Sequence, residues 1–244
     1  GQQAGDVTTS VGFSVIIGAA ACGTGNITAV ADGTVAIGSE ALKALTSGAG
    51  NVAVGYQAGD TFTSQGGNTV IGYQVAQAST AGNITAVGYL ALEDCTADGT
   101  VGIGHSAGKN ITSGARNLAV GYQSLDALTQ ADDNMAIGYQ ALTASSTTTA
   151  ARNMAIGSYA LTTLNADGRD NIAIGTGALQ TANHADIDGN VAIGSYVLDH
   201  VGTAGVWACT GIGYNALTAV DNACAAGSTA IGYSALAAIT SGAG

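Results

Sequence analysis

Histidine and carboxylate side chains are the groups in this sequence that are best suited to acid–base or hydrolytic chemistry. The three histidines, His105, His184 and His200, fall in different segments and share no pattern of partners. The sequence has no G-x-S-x-G nucleophile motif and no recurring carboxylate pair of the kind that cleaves glycosidic bonds. We therefore predict neither an enzymatic activity nor a cofactor.

The four cysteines, Cys22, Cys95, Cys209 and Cys224, show neither C-x-x-C spacing nor a neighbouring His pair. That arrangement argues against a zinc site. Cys209 and Cys224 are 15 residues apart, so a disulfide between neighbouring coils of a repeat is one alternative. We favour buried free thiols, because reduced cysteine behaves as a small apolar residue.

Two further sets of polar residues raise the question of ligand binding. Asp-Gly dipeptides raise the possibility of calcium, but the known calcium-binding repeats and loops are absent and turn chemistry accounts for them. A threonine recurs eight residues after a glycine, which leaves ice binding as a remote alternative to turn capping. The two sets are Asp32, Asp98, Asp167 and Asp188, and Thr46, Thr63, Thr80, Thr96, Thr112 and Thr129.

The composition excludes several classes of partner. Only 9% of the 244 residues are charged, and the formal net charge is −11; an ordinary soluble domain has about 25% charged residues. Its five Lys and Arg residues are widely spaced, which excludes binding to nucleic acid or to an anionic membrane by charge neutralisation. No apolar run approaches the roughly 18 residues of a membrane span, so we predict no direct insertion into a membrane.

A short apolar motif, such as "NVAVGYQAG" from Asn51, recurs along the whole chain. In each copy a glycine, here Gly55, directly follows an apolar segment of three residues. Successive glycines are 16 to 20 residues apart. They are Gly18, Gly38, Gly55, Gly72, Gly88, Gly104, Gly121, Gly138, Gly157, Gly175, Gly194, Gly213 and Gly232. Val or Ile before each glycine, with mostly Ala before that, makes a period-2 pattern that predicts a short β-strand.

This pattern predicts how each coil is arranged. We expect the bulky Val and Ile side chains to fill the inside of the coil. The alanines would then face outward and allow close approach of another layer or subunit. A Leu four residues after the glycine, as at Leu42 and Leu92, predicts a second short strand.

Asparagine opens the repeat in seven coils. Because stacked coils place identical residues about 4.8 Å apart, we expect the amides to hydrogen-bond along the column in a structural ladder. The residues are Asn51, Asn68, Asn117, Asn134, Asn153, Asn171 and Asn190.

The repeat as a whole predicts an all-β, parallel β-solenoid of about 14 coils with 16 to 20 residues per coil. One coil cannot bury its own apolar face, and stacking makes the core continuous. We expect residues 1–244 to form a single repetitive segment. Because the sequence starts and stops within a repeat, we expect it to be a fragment of a longer fibre.

The consensus N-[apolar]-A-[VI]-G-[YS]-x-A-L resembles the YadA-like head repeats of trimeric autotransporter adhesins, which form a left-handed β-roll. It resembles phage tail-fibre and other virion fibre repeats more closely, because the coils are longer than in adhesin heads and Tyr often follows the glycine. The resemblance covers the whole chain. It implies a homotrimer.

From this resemblance we expect a structural or receptor-binding fibre protein that mediates host attachment from the virion surface. The expected partners are further copies of the chain, other fibre or virion proteins, and a cell-surface glycan or protein receptor. The alternative is an extracellular adhesin head on a bacterial surface that binds host or matrix.

Aromatic residues are the candidate receptor contacts. Tyr56, Tyr73, Tyr89, Tyr122 and Tyr139 recur at one repeat position, where the other interpretation is a stacked structural column. Trp207 lies in a segment that departs from the consensus, and loops carry recognition more often than scaffolds do. The alternative for Trp207 is a ring wedged into a coil.

Overall fold

The computed structural model describes residues 12–24, 31–143, 150–164, 168–182, 187–201, 206–220 and 227–239. These residues form an all-β, parallel β-solenoid in which each coil contributes one three-residue strand ending just before the repeat glycine. The predicted fold class is therefore confirmed. A fourteenth copy of the repeat, which the sequence GQQAG predicts at Gly1, lies outside the described residues.

The nineteen described strands are short. They are β1 (Val15–Ile17), β2 (Val35–Ile37), β3 (Val52–Val54), β4 (Thr69–Ile71), β5 (Thr85–Val87), β6 (Val101–Ile103), β7 (Leu118–Val120), β8 (Met135–Ile137), β9 (Met154–Ile156), β10 (Ile172–Ile174), β11 (Thr181–Ala182), β12 (Ile187–Asp188), β13 (Val191–Ile193), β14 (His200–Val201), β15 (Val206–Trp207), β16 (Thr210–Ile212), β17 (Ala219–Val220), β18 (Thr229–Ile231) and β19 (Ala238–Ile239).

The chain divides into two compact units, residues 1–116 and 117–244. In the first unit β1 to β6 pair in chain order, all in parallel. In the second unit β7, β8, β9, β10, β13, β16 and β18 do the same, and β11, β14, β17 and β19 form a further parallel sheet, as do β12 and β15. The register pairs equivalent repeat positions, as in Ala53 with Val70.

The prediction of which strand face fills the coil is wrong. In twelve of the thirteen strands that precede a repeat glycine, the middle residue, usually Ala, is buried, and Ile16 of β1 is half-buried. The flanking Val, Ile, Leu, Met or Thr side chains are half-buried or exposed. The reason is the width of the coil. Gly102 occupies the Ala column, and a Cβ built there would lie 2.7 Å from Leu92 Cγ and 3.0 Å from the Ala107 carbonyl oxygen. Most coils therefore take a small side chain between the strand and the buried Leu column opposite; the larger residues in this column are Ile16 and Val70.

The repeat glycine is required by the closeness of the coils at the corner. Gly55 has a φ of +138°, and a Cβ built on it would lie 2.0 Å from the Gly72 carbonyl oxygen in the next coil. A side chain at this position would separate the two coils, so the glycine column follows from stacking distance as well as from backbone conformation.

The prediction of a second strand at the Leu column is wrong for the leucines themselves. Leu42 and Leu92 lie in turns with φ of +49° and +50°, and both are buried. Where a second strand exists among the described residues, it begins two residues later, as β11 does after Leu179. Glycine replaces Leu at Gly59, where the ring of the buried Phe62 fills the coil instead, 2.8 Å from a Cβ built on Gly59.

Candidate recognition surfaces

The asparagine column forms a buried hydrogen-bonded ladder. In the second unit Asn153 Nδ2 donates to Asn134 Oδ1 over 3.2 Å, and its backbone N–H donates to the same oxygen over 3.0 Å. Asn171 and Asn190 repeat this pattern. The remaining amide hydrogen reaches a loop carbonyl, such as Gly168 O at 2.9 Å from Asn153. The column thus satisfies backbone groups and presents nothing to a ligand.

The ladder stops in the first unit where Ile84 replaces asparagine. Asn51 Nδ2 donates to the carbonyls of Gly48 and Gln65, and its Oδ1 accepts from the Asn68 backbone N–H. Asn68 Oδ1 accepts from the Ile84 backbone N–H, but Asn68 Nδ2 is buried without a hydrogen-bond partner. One column therefore offers two asparagines whose side chains make very different numbers of bonds.

The outward side chains of the first and third strand residues form what we call the apolar face of each unit. In the third position every strand that precedes a repeat glycine carries Val or Ile. Ile71 and Ile103 are each 39% exposed, and Ile193 is 36% exposed. Contiguous apolar surface of this kind on a water-facing sheet is typical of an interaction site.

The tyrosines of the first unit each lie one residue beyond a repeat glycine, and their rings are stacked. In the first unit Tyr56, Tyr73, Tyr89 and His105 form a continuous run, with ring centroids 5.3, 5.4 and 4.9 Å apart and interplanar angles of 10° to 23°. His105 takes a tyrosine position that sequence reasoning had not connected with the column. Neighbouring rings occupy each other's faces, so the rings present mainly their edges and hydroxyls outward.

The column is less regular in the second unit. Tyr122 and Tyr139 stack at 5.3 Å, whereas Tyr139 meets Tyr159 edge-on at 5.2 Å. Tyr159 and Tyr196 lie two residues after their glycines, one later than the consensus, and sequence reasoning missed both. A side-chain hydrogen bond with Tyr159 raises the pKa of Tyr139.

A second polar column runs beside the tyrosines of the first unit. Gln57 Nε2 donates to Glu40 Oε2 over 2.8 Å, and Gln57 Oε1 accepts from Gln74 and Gln77 over 2.8 and 3.1 Å. The bond from Gln57, with a further one from Lys43, lowers the pKa of the Glu40 carboxyl. The Gln57 side chain thus makes three hydrogen bonds to neighbouring coils, which hold it in the column.

Trp207 lies on β15 and is 53% exposed. It is paired in register with Asp188 of β12. Within the described part of the chain, the Trp207 side chain makes no ring contact and no hydrogen bond. Its carbonyl oxygen accepts from the Gly227 N–H over 3.0 Å and from the Cys209 thiol over 3.7 Å. The alternative of an indole wedged into the coil does not describe this side chain.

The aspartates of the Asp-Gly loops cap backbone groups of the preceding coil. Asp32, Asp98 and Asp188 accept from backbone N–H groups over 2.7 to 2.8 Å, and Asp167 lies outside the described residues. Thr46 and Thr96 likewise donate to carbonyls of the next coil. Both columns thus have partners inside the solenoid.

Cys22 and Cys95 are buried, and burial raises the pKa of the Cys22 thiol to about 11. Cys224 and His184 fall outside the described residues. In the described ranges no group of His, Cys, Asp or Glu has the arrangement of a metal site, and no pocket is formed. None of the helical turns described is long and apolar enough to cross a membrane. No family model, curated protein or solved structure matches this chain.

Proposed function

We propose that this chain is a non-enzymatic fibre segment that assembles with copies of itself into a homotrimer and mediates attachment to a cell surface. The observation that carries the proposal is the apolar face. We place the segment in a phage tail fibre or another virion fibre, in line with the resemblance of its repeats.

The apolar face supports self-association because the coil cannot take these side chains in. The interior position of the strand is mostly Ala, so the outward Val and Ile side chains remain partly in contact with water unless another chain covers them. Burying apolar surface contributes about 25 cal/mol per Å², and the face extends over successive strands of each unit. A second copy carries the same face with the same coil spacing.

The low charge content supports the same proposal. With 9% charged residues, few side chains need to be excluded from an interface, and interface centres are depleted in charged residues. Three copies around one axis would each cover the apolar face of the others. Their polar columns and loops would stay in contact with solvent.

Solution mass tests the assembly. Light scattering of the chain should give three times the 23.5 kDa of one copy, and a 23.5 kDa particle would refute self-association. The double variant Ile71→Lys/Ile103→Lys should give monomers with an unchanged β-type circular dichroism spectrum. Ser64→Lys, which adds a charge at an exposed loop position of the same unit, is the matched control and should remain trimeric.

Attachment is tested separately by labelling the assembled chain and measuring its retention on bacterial cells and on animal extracellular matrix. Saturable binding to bacterial cells supports a virion fibre. Binding to matrix but not to bacteria would support the adhesin instead, and binding to neither would refute attachment.

A further inference from the structure

Trp207 is a large aromatic residue that is exposed on the second unit. It is the only tryptophan in the chain, and about half of its surface is open to water. An exposed indole is a large apolar surface with one polar N–H group, and no described residue stacks on this ring or accepts from its N–H group.

Asp188 and Trp207 occupy the same position in neighbouring coils, because β12 and β15 pair them in register, and both residues are exposed. Asp188 Oδ1 accepts from the Arg169 backbone N–H over 2.8 Å, which holds the carboxylate in place. No described residue donates to Asp188 Oδ2, and the residue is exposed. A fixed carboxylate oxygen that faces water is a strong acceptor for hydroxyl groups.

Among the described residues, few atoms lie next to this pair. A Cβ built on Gly189 would have only the Ala208 backbone nitrogen as a neighbour, at 4.0 Å, and one built on Gly227 would have none within that distance. The residues at the next position in these three coils are Gly189, Ala208 and Gly227, which carry at most a methyl group. The indole and the carboxylate border a shallow surface rather than a pocket.

We infer that Trp207 and Asp188 form a binding site for a neutral hexose-containing glycan. A sugar ring has an apolar face that packs on an indole and hydroxyls that donate to a carboxylate, so one ring uses both groups. A protein partner would need an apolar surround for the Trp, whereas here the neighbours are glycines and exposed charges. The net charge of −11 disfavours an anionic glycan.

This inference deepens the proposed attachment function and rests on it, since it names the class of receptor. The single tryptophan makes the test direct, because all tryptophan fluorescence reports on this site. The assembled chain is titrated with maltohexaose, cellohexaose, mannohexaose and a galactan hexasaccharide. We expect at least one to give a saturable emission shift and to protect Trp207 from acrylamide quenching.

Asp188→Asn keeps the acceptor for the Arg169 N–H and removes the carboxylate, and it should weaken binding of that sugar about tenfold. Asp98→Asn is the matched control, since Asp98 makes the same type of backbone bond over 2.7 Å without a neighbouring Trp, and it should leave binding unchanged. Trp207→Ala should abolish retention on cells. Circular dichroism confirms that each variant is folded.

Two outcomes overturn the inference while leaving the attachment function standing. One is retention of Trp207→Ala on cells at the level of the unchanged chain. The other is retention that requires Trp207 when no sugar changes the fluorescence, which would indicate a protein receptor. Absence of cell retention by the unchanged chain would overturn the attachment function, and the sugar titration would still decide whether the site binds glycan.

Discussion

The asparagine ladder allows a prediction in which two identical substitutions, Asn51→Ala and Asn68→Ala, have very different costs. The two residues occupy the same position in adjacent coils of one unit, and both are fully buried. Their side chains differ in bonding: that of Asn51 makes three hydrogen bonds, over 2.8 to 3.1 Å, whereas that of Asn68 makes one, over 3.0 Å.

The magnitudes follow from this difference. Each hydrogen bond contributes about 1 kcal/mol net, and a buried group left without a partner costs about 1 to 3 kcal/mol. Asn51→Ala strands the carbonyls of Gly48 and Gln65 and the N–H of Asn68, so we expect a loss of about 3 to 5 kcal/mol. Asn68→Ala strands one N–H group but also removes a buried Nδ2 that has no partner, so we expect a loss of about 1 kcal/mol.

Urea unfolding followed by circular dichroism, at one protein concentration for all variants, measures these free energies. Fixing the concentration matters because self-association would add to the apparent stability. Equal losses for the two variants would refute the argument that the side-chain bonds, rather than the burial of an amide at this position, stabilise the column.

Three further predictions concern the interior and one buried charge. Gly55→Ala should lower the free energy of unfolding by several kcal/mol, because its Cβ would lie 2.0 Å from Gly72 O. Gly50 has a φ of +66° and open space around it, so Gly50→Ala should lower it by only about 1 kcal/mol. Equal losses in urea unfolding would contradict the close approach. Gly59→Leu and Phe62→Leu should each destabilise the chain, the first by a clash and the second by a cavity, while the double variant restores the Leu42 and Leu45 arrangement and should recover at least about 1 kcal/mol in a double-mutant cycle. Burial raises the pKa of Asp60, so its charged form is disfavoured in the folded state, and the resulting destabilisation is present above the raised folded-state pKa and disappears as pH falls below the ordinary Asp value. Asp60→Asn should therefore stabilise the chain at pH 7 and have no effect at pH 3, as measured by urea unfolding at the two pH values.

The repeat itself made strand position and register predictable. Val-Ala-Ile followed by Gly recurs at nearly constant spacing, and in a stacked solenoid equivalent positions must pair. The direction of the strand faces was not predictable from hydrophobicity, because both faces are apolar. It depends on how much room the buried Leu column leaves. At Gly102 the room is small, because a Cβ built there would lie 2.7 Å from Leu92 Cγ.

Some of the candidate contacts were predictable from the sequence, and others depend on features that only the structure shows. The tyrosine column was predictable from spacing, but Tyr159 and Tyr196 were not, since a Ser precedes each and shifts the aromatic residue by one position. Trp207 was predicted as a candidate contact because its segment departs from the consensus, but its surroundings were not predictable. Its exposure and its pairing with Asp188 depend on β12 and β15, two-residue strands that have no counterpart in the consensus.

The two columns of the apolar face are not equivalent, and the difference predicts where an interface would be centred. The third strand position is Val or Ile in all thirteen strands that precede a repeat glycine, whereas the first position includes Thr69, Thr85, Thr210 and Thr229. A hydroxyl is tolerated where water remains and is costly where it is desolvated without a partner. The third column should therefore lie at the centre of the proposed trimer and the first column at its rim.

A matched pair of substitutions tests this arrangement in one unit. Val54→Thr, in the third column, should raise the dissociation constant of the assembly about tenfold or more, because it places an unpaired hydroxyl at the centre. Val52→Thr makes the same chemical change in the first column of the same strand and should have little effect. Sedimentation across a concentration series measures both, and a larger effect for Val52→Thr would place the centre of the interface on the first column instead.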